Sequence, residues 1–120
     1  MSILEGWLDD HFRPRILLKL VGIPDPFPAV IDTAFNDSLW LPLRLTEEAG
    51  VTLEGRITYT LADGRREVGY YFNGYIQWFG SPREIRVVVA HGEDALLGAA
   101  LLRECLLEVN FPSRTVKLSR

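Results

Sequence analysis

Asp32 is the residue whose type and setting best suit bond-breaking chemistry. It ends the apolar run Ala29-Val30-Ile31 and opens the segment Asp32 to Ser38, rich in turn-forming residues. An aspartate after a strand is first of all a turn former, because its side chain bonds nearby backbone amides. Standing in a cleft, the same carboxylate can act as a general acid or base, alone or in a pair with a second carboxylate. Glu47-Glu48 and Glu93-Asp94 do not supply that pair: adjacent side chains point in different directions, so both pairs are expected on solvated faces. His91, followed by Gly92-Glu93-Asp94, has the chemistry of a general base but the setting of a surface loop. Cys105 lies between Leu101-Leu102 and Leu106-Leu107, an apolar setting that raises a thiol's pKa and predicts an inert core cysteine. His11 and His91 have no second ligand at zinc spacing, so neither a metal nor another cofactor is expected.

The elements that must position Asp32 follow from periodicity and turn chemistry. Trp7-Leu8 and Arg15 to Val21 predict two strands split by the polar stretch Asp9 to Pro14. Pro24, Pro26 and Pro28 lack a backbone donor and fix φ, so a loop is predicted to lead into the strand Ala29-Val30-Ile31. Leu39-Trp40-Leu41 predicts a further strand, and Pro42 to Ala49 a short helix stopped by Gly50 in the left-handed conformation. Asp63-Gly64 between Arg56 to Leu61 and Arg66 to Phe72 is a strong hairpin signal. A second hairpin is predicted from Tyr75 to Phe79 and Glu84 to Val89, joined by Gly80-Ser81-Pro82-Arg83. Ala95 to Arg103 begins as a buried apolar run and continues as a second short helix. Leu106 to Phe111 and Thr115 to Leu118 alternate around Pro112-Ser113-Arg114 and close the chain on a hairpin.

A mainly β domain of 120 residues is long enough to bury a core without disulfides, and residues 1–120 are expected to form one domain. Hydrophobic residues at 48% and charged residues at 24% suit a folded globular chain. The net charge of -3, with acids and bases interspersed, provides no basic stripe for a phosphate backbone, so nucleic acid is not an expected partner. The first ten residues lack the basic and apolar regions of a secretory signal, and no apolar run approaches the ~20 residues that span a bilayer. No membrane association is expected, and a cytoplasmic location follows as the default, with which a lone cysteine is consistent.

The order of these features resembles the retropepsin-like fold, that of the single-lobe relatives of pepsin that include the retroviral proteases and many short prokaryotic proteins. Ala29-Val30-Ile31-Asp32-Thr33-Ala34 is similar to the family's apolar strand and Asp-Thr/Ser-Gly signature, with Ala34 at the glycine position. Leu39-Trp40-Leu41-Pro42 resembles the strand beyond it, the hairpin tip Ala62-Asp63-Gly64 the flap, and Leu96-Leu97-Gly98 before a helix the second signature. The resemblance implies a single-lobe acid-protease barrel with a flap hairpin and one or two short helices. It implies further that Asp32 is the catalytic carboxylate of a homodimeric aspartic endopeptidase, one aspartate per protomer, and that the Thr33 hydroxyl locks the two active-site loops together. Leu96, Leu97 and Gly98 would support the site, and a peptide or protein substrate would lie extended between flap and loops, in the manner of strand addition. A Cβ at Ala34 costs about 1 kcal/mol if the loop demands positive φ there. The alternative expectation is therefore a catalytically inactive dimerisation or peptide- or protein-binding module on the same fold. Phe35, Trp40, Tyr59 and Trp78 are of a kind that could line side-chain pockets, although such aromatics more often fill the core.

Overall fold

The computed structural model describes residues 2–61 and 63–120. Strands β1 (Ile3–Leu8) and β2 (Pro14–Leu18) lead to β3 (Phe27–Asp32), β4 (Leu39–Pro42) and helix α1 (Leu43–Ala49). Then come β5 (Gly55–Thr60), β6 (Arg66–Trp78), β7 (Ser81–Ala90), β8 (Ala95–Gly98), helix α2 (Ala99–Leu102), β9 (Leu106–Asn110) and β10 (Thr115–Ser119). The strands form one sheet in the order β5-β6-β7-β4-β8-β3-β2-β1-β10-β9. Most pairings are antiparallel, but β3 runs parallel to β8 and β4 parallel to β7, at the middle of the sheet.

The sheet returns on itself. Beyond the end of β2, Gln77 donates its N–H to the Lys19 carbonyl and Val21 donates to that of Tyr75, on either side of a Leu20–Ile76 bridge. These bonds join the continuation of β2 to the far half of β6, so the central strands enclose a core. Leu20, Leu39, Leu41, Ile76 and Leu97 are fully buried in it, with Trp78 beside them. The parallel strands are buried on both faces, which is why Val87, Val88 and Val89 form an unbroken apolar run.

Two sequence expectations are corrected by contacts that the folded sheet makes. The predicted strands Arg66 to Phe72 and Tyr75 to Phe79 are one strand of 13 residues, β6, because Gly74 pairs with Ile85 without interrupting the ladder. Its connection to β7 is a two-residue loop in which Phe79 (φ 52°) and Gly80 (φ 84°) are both left-handed, as a primed hairpin turn requires. A phenylalanine in that position carries no turn signal. It is held instead by an edge-on contact with Trp78 at 5.0 Å and by the Arg120 guanidinium 5.2 Å from its ring centre. Helix α1 ends as expected on Gly50, whose φ of 66° is left-handed.

The second correction concerns Asp94, expected on a solvated face. Its carboxylate accepts from Arg15 at 2.8 Å and Arg13 at 3.1 Å, while Asp9 accepts from the same two residues at 2.7 and 3.0 Å. This network ties the β1–β2 turn to the segment before β8. At Asp9 burial opposes the charge, but the backbone N–H groups of Arg13 and His11 and the two guanidinium groups outweigh it and hold the carboxyl well below the ordinary range. At Asp94 the Arg15 hydrogen bond lowers the pKa against burial. A carboxyl depressed in the folded state stabilises above its unfolded pKa and loses that contribution as pH falls through the folded value. Asp9→Asn is therefore expected to lower Tm most at neutral pH. The gap to the unmodified chain should narrow progressively below about pH 4 in thermal scans across pH.

Candidate active site

Asp32 is the last residue of β3, and its pairing partner on β8 is Gly98, the last residue of that strand. Both strands thus deliver their signature residues to one end of the sheet. The side chain of Asp32 is half-buried, and its Oδ1 accepts the Ala34 N–H at 2.9 Å, the Asx turn expected of an aspartate leaving a strand. The Phe35 N–H donates to the Asp32 carbonyl at 3.2 Å, which completes the turn. Thr33 and Ala34 stand exposed at its tip, and no described residue pairs with the Thr33 hydroxyl.

The loop from Thr33 to Ser38 is fastened to the junction of β8 and α2. Gly98 donates to the Ser38 carbonyl at 2.9 Å, Ala99 to that of Phe35 at 2.7 Å and Ala100 to that of Asp37 at 3.4 Å. A Cβ on Gly98 would lie 1.9 Å from the Asp37 carbonyl oxygen and 2.8 Å from that of Phe35, so only glycine admits the loop this close. Leu97 is fully buried, and the half-buried Leu96 lies between Val30 and Trp40 in the sheet. The three residues Leu96, Leu97 and Gly98 thus sit under the Asp32 loop.

The β5–β6 hairpin stands beside this loop. Its turn is closed by the Leu61 N–H donating to Arg65 and the Gly64 N–H to Leu61, with Gly64 at φ 88°. Asp63 accepts the Arg65 N–H at 3.0 Å and its Nε at 2.7 Å, which makes it a turn residue with its charge paired. Ala62 lies outside the described residues. Tyr59 of β5 packs edge-on against Trp40 at 4.7 Å, and Trp40 against Phe35 at 6.0 Å, an aromatic chain running from the β5–β6 hairpin to the Asp32 loop. These three line clefts, of about 480 and 370 Å³, on either side of Tyr59, whereas Trp78 is core. Burial and the nearby Glu67 carboxylate raise the Tyr59 pKa, keeping its hydroxyl protonated.

His91 is exposed at the rim of the larger cleft, and Glu47 and Glu48 face solvent. Cys105 is half-buried, and burial raises its thiol pKa. Among the described residues no three of histidine, cysteine, aspartate and glutamate gather as a metal site would require. No helix among them is long and apolar enough to cross a membrane. Sequence reasoning passed over the pair Asp37 and Arg86. Separated by 49 residues, they meet only because β4 lies beside β7, and no local pattern announces them.

The fold defined by these strands and loops is that of the retropepsin-like aspartic proteases. The chain is similar to a retropepsin-like aspartic protease from Rickettsia conorii, at a TM-score of 0.73 and 17% identity over 98% of this chain and 89% of the other. It is similar also to EIAV protease complexed with the inhibitor HBY-793, at a TM-score of 0.64 and 17% identity over 77% of this chain and 86% of the other. No protein-family model matches the sequence, and no curated protein matches it.

The loop does not demand positive φ at Ala34, since among the described residues the non-glycine positions at positive φ are Phe12, Phe79 and Arg114. Ala34→Gly is therefore expected to cost about 0.4–1 kcal/mol through the freer unfolded chain, not to relieve anything. Gly98→Ala is expected to cost about 1–3 kcal/mol by forcing the loop outward. Denaturant unfolding of both variants measures the two effects.

Proposed function

We propose that the protein is an aspartic endopeptidase that works as a homodimer, with Asp32 of each protomer forming one shared site. The observation that carries this is the exposed Asp32 turn, fastened through Gly98 and flanked by a hairpin. On this proposal the turn, tied by backbone hydrogen bonds to the junction of β8 and α2, is half of a two-carboxylate site that a second copy completes. A closed two-fold dimer sets identical residues opposite each other at the axis, so one signature per chain suffices. Two carboxylates that close cannot both carry a charge, and aspartic proteases are the standard example. One carboxylate then draws a proton from a water between them while the other protonates the oxygen of the scissile carbonyl, and the water oxygen bonds to the carbonyl carbon. Collapse of that intermediate breaks the C–N bond as the amine leaves with a proton.

In this reading Thr33, exposed and unpaired among the described residues, bonds across the axis to hold the two loops in register. The flap around Asp63 and Gly64 covers an extended peptide. The alternative, an inactive dimerisation or peptide- or protein-binding module, drew in part on strain at Ala34, and the backbone there supplies none. Asp32→Asn keeps the shape of the Asx turn while removing the acid. It is expected to lower peptide cleavage by at least about a hundredfold with thermal unfolding little changed. A variant that cleaves as fast as the unmodified protein would remove Asp32 from the mechanism.

A further inference from the structure

The cleft of about 370 Å³ lies between the loop that follows Asp32 and strand β5. Asn36 and Asp37 line one wall, Thr58 and Tyr59 the other, and Arg86 and Val88 of β7 complete it. Asp37 and Arg86 are its two charged lining residues, and they are paired: Nε and Nη2 of Arg86 donate to Asp37 Oδ2 at 3.0 and 2.7 Å. Asp37 Oδ1 accepts the Ser38 N–H at 2.8 Å, so the carboxylate already serves three donors. The Asp37 main chain is in turn fixed against Gly98 and Ala100. Arg86 differs. A guanidinium has five N–H donors in a planar fork, and Asp37 engages one edge of it, through Nε and Nη2. The opposite edge, formed by Nη1 and the second hydrogen of Nη2, remains, on a side chain 50% exposed. That edge has the geometry that grips a carboxylate through two parallel hydrogen bonds.

We propose that this cleft is a specificity subsite for an acidic side chain of the substrate, with Arg86 as the specificity-determining residue and Asp37 as the positioning residue that aims it. The proposal rests on the endopeptidase reading, since it is an extended peptide between flap and loop that carries a side chain into the cleft. The facing β5 residues Ile57, Thr58, Tyr59 and Thr60 are uncharged and do not compete for the guanidinium. Asp37 pre-pays the ordering of a long, mobile side chain, so a ligand carboxylate meets a donor pair already in position. A glutamine in the same place offers one neutral acceptor and forgoes the charge-assisted pair.

Binding of non-cleavable peptides tests this without requiring turnover. In such a series a hydroxyethylene group replaces the scissile amide, and a single Glu, Gln or Lys is walked through four positions on each side. At one position the Glu peptide is expected to bind at least about tenfold tighter than its Gln counterpart, and the Lys peptide more weakly than either. Arg86→Gln is expected to bring the Glu-to-Gln ratio near one, and Arg86→Lys, which keeps the charge without the fork, to leave a reduced preference. If the peptides bind the unmodified protein but no position separates Glu from Gln, or if Arg86→Gln preserves the ratio, the subsite is overturned and the endopeptidase reading stands. If no peptide of the series binds at all, the endopeptidase reading fails and the subsite with it.

Discussion

Everything near Asp32 depends on the missing side chain at Gly98. Two parallel strands can bring their ends together at the middle of a sheet, but the loop leaving one must pass over the end of the other, where a Cβ would collide with backbone. With hydrogen alone at Gly98, the carbonyls of Phe35, Asp37 and Ser38 settle onto the N–H groups of residues 98–100. Those groups would otherwise be unpaired at the start of α2. One glycine therefore satisfies two sets of polar groups at once and fixes the direction in which the Asp32 turn projects.

From that fixed point the rest of the molecule acts as a frame. The return of the sheet on itself through Lys19 to Val21 and β6 buries the central strands on both faces, so the strand ends have little freedom to drift. The Asp9, Arg13, Arg15 and Asp94 network anchors the segment that enters β8 from the other end of the sheet. A rigid frame with one half-buried carboxylate at a strand end is what a symmetric two-carboxylate site requires from each half, because the second half can supply no correction of geometry. The Asp37–Arg86 pair extends the same economy: the loop that fixes Asp32 also fixes a charge beside it.

Much of this was legible in the sequence because local patterns and burial agreed. The apolar run into Asp32, the turn residues after it, Asp63-Gly64 between β-rich segments and Gly50 after a helical stretch each carry their physical reason within a few residues. The unreadable parts depend on distant contacts. Gly74 looks like a break between strands, yet its neighbour strand carries the ladder straight across it. Phe79 takes a left-handed conformation that Trp78 and Arg120 support. Asp94 looks solvated until Arg13 of the β1–β2 turn and Arg15 of β2 arrive, some 80 residues away. The cost expected at Ala34 was tied to a backbone angle, and a sequence does not state its angles.

The central claim is that two copies of Asp32 form one site, and a crystal structure of the assembled protein tests it most directly through the distance between the two carboxylates. The account predicts that they face each other across a two-fold axis, with oxygens within about 3 Å of one another or of a shared water. Asp32 carboxylates on separate faces of an oligomer, or a chain that stays monomeric at crystallisation concentrations, would contradict it and leave a protease fold without a protease site.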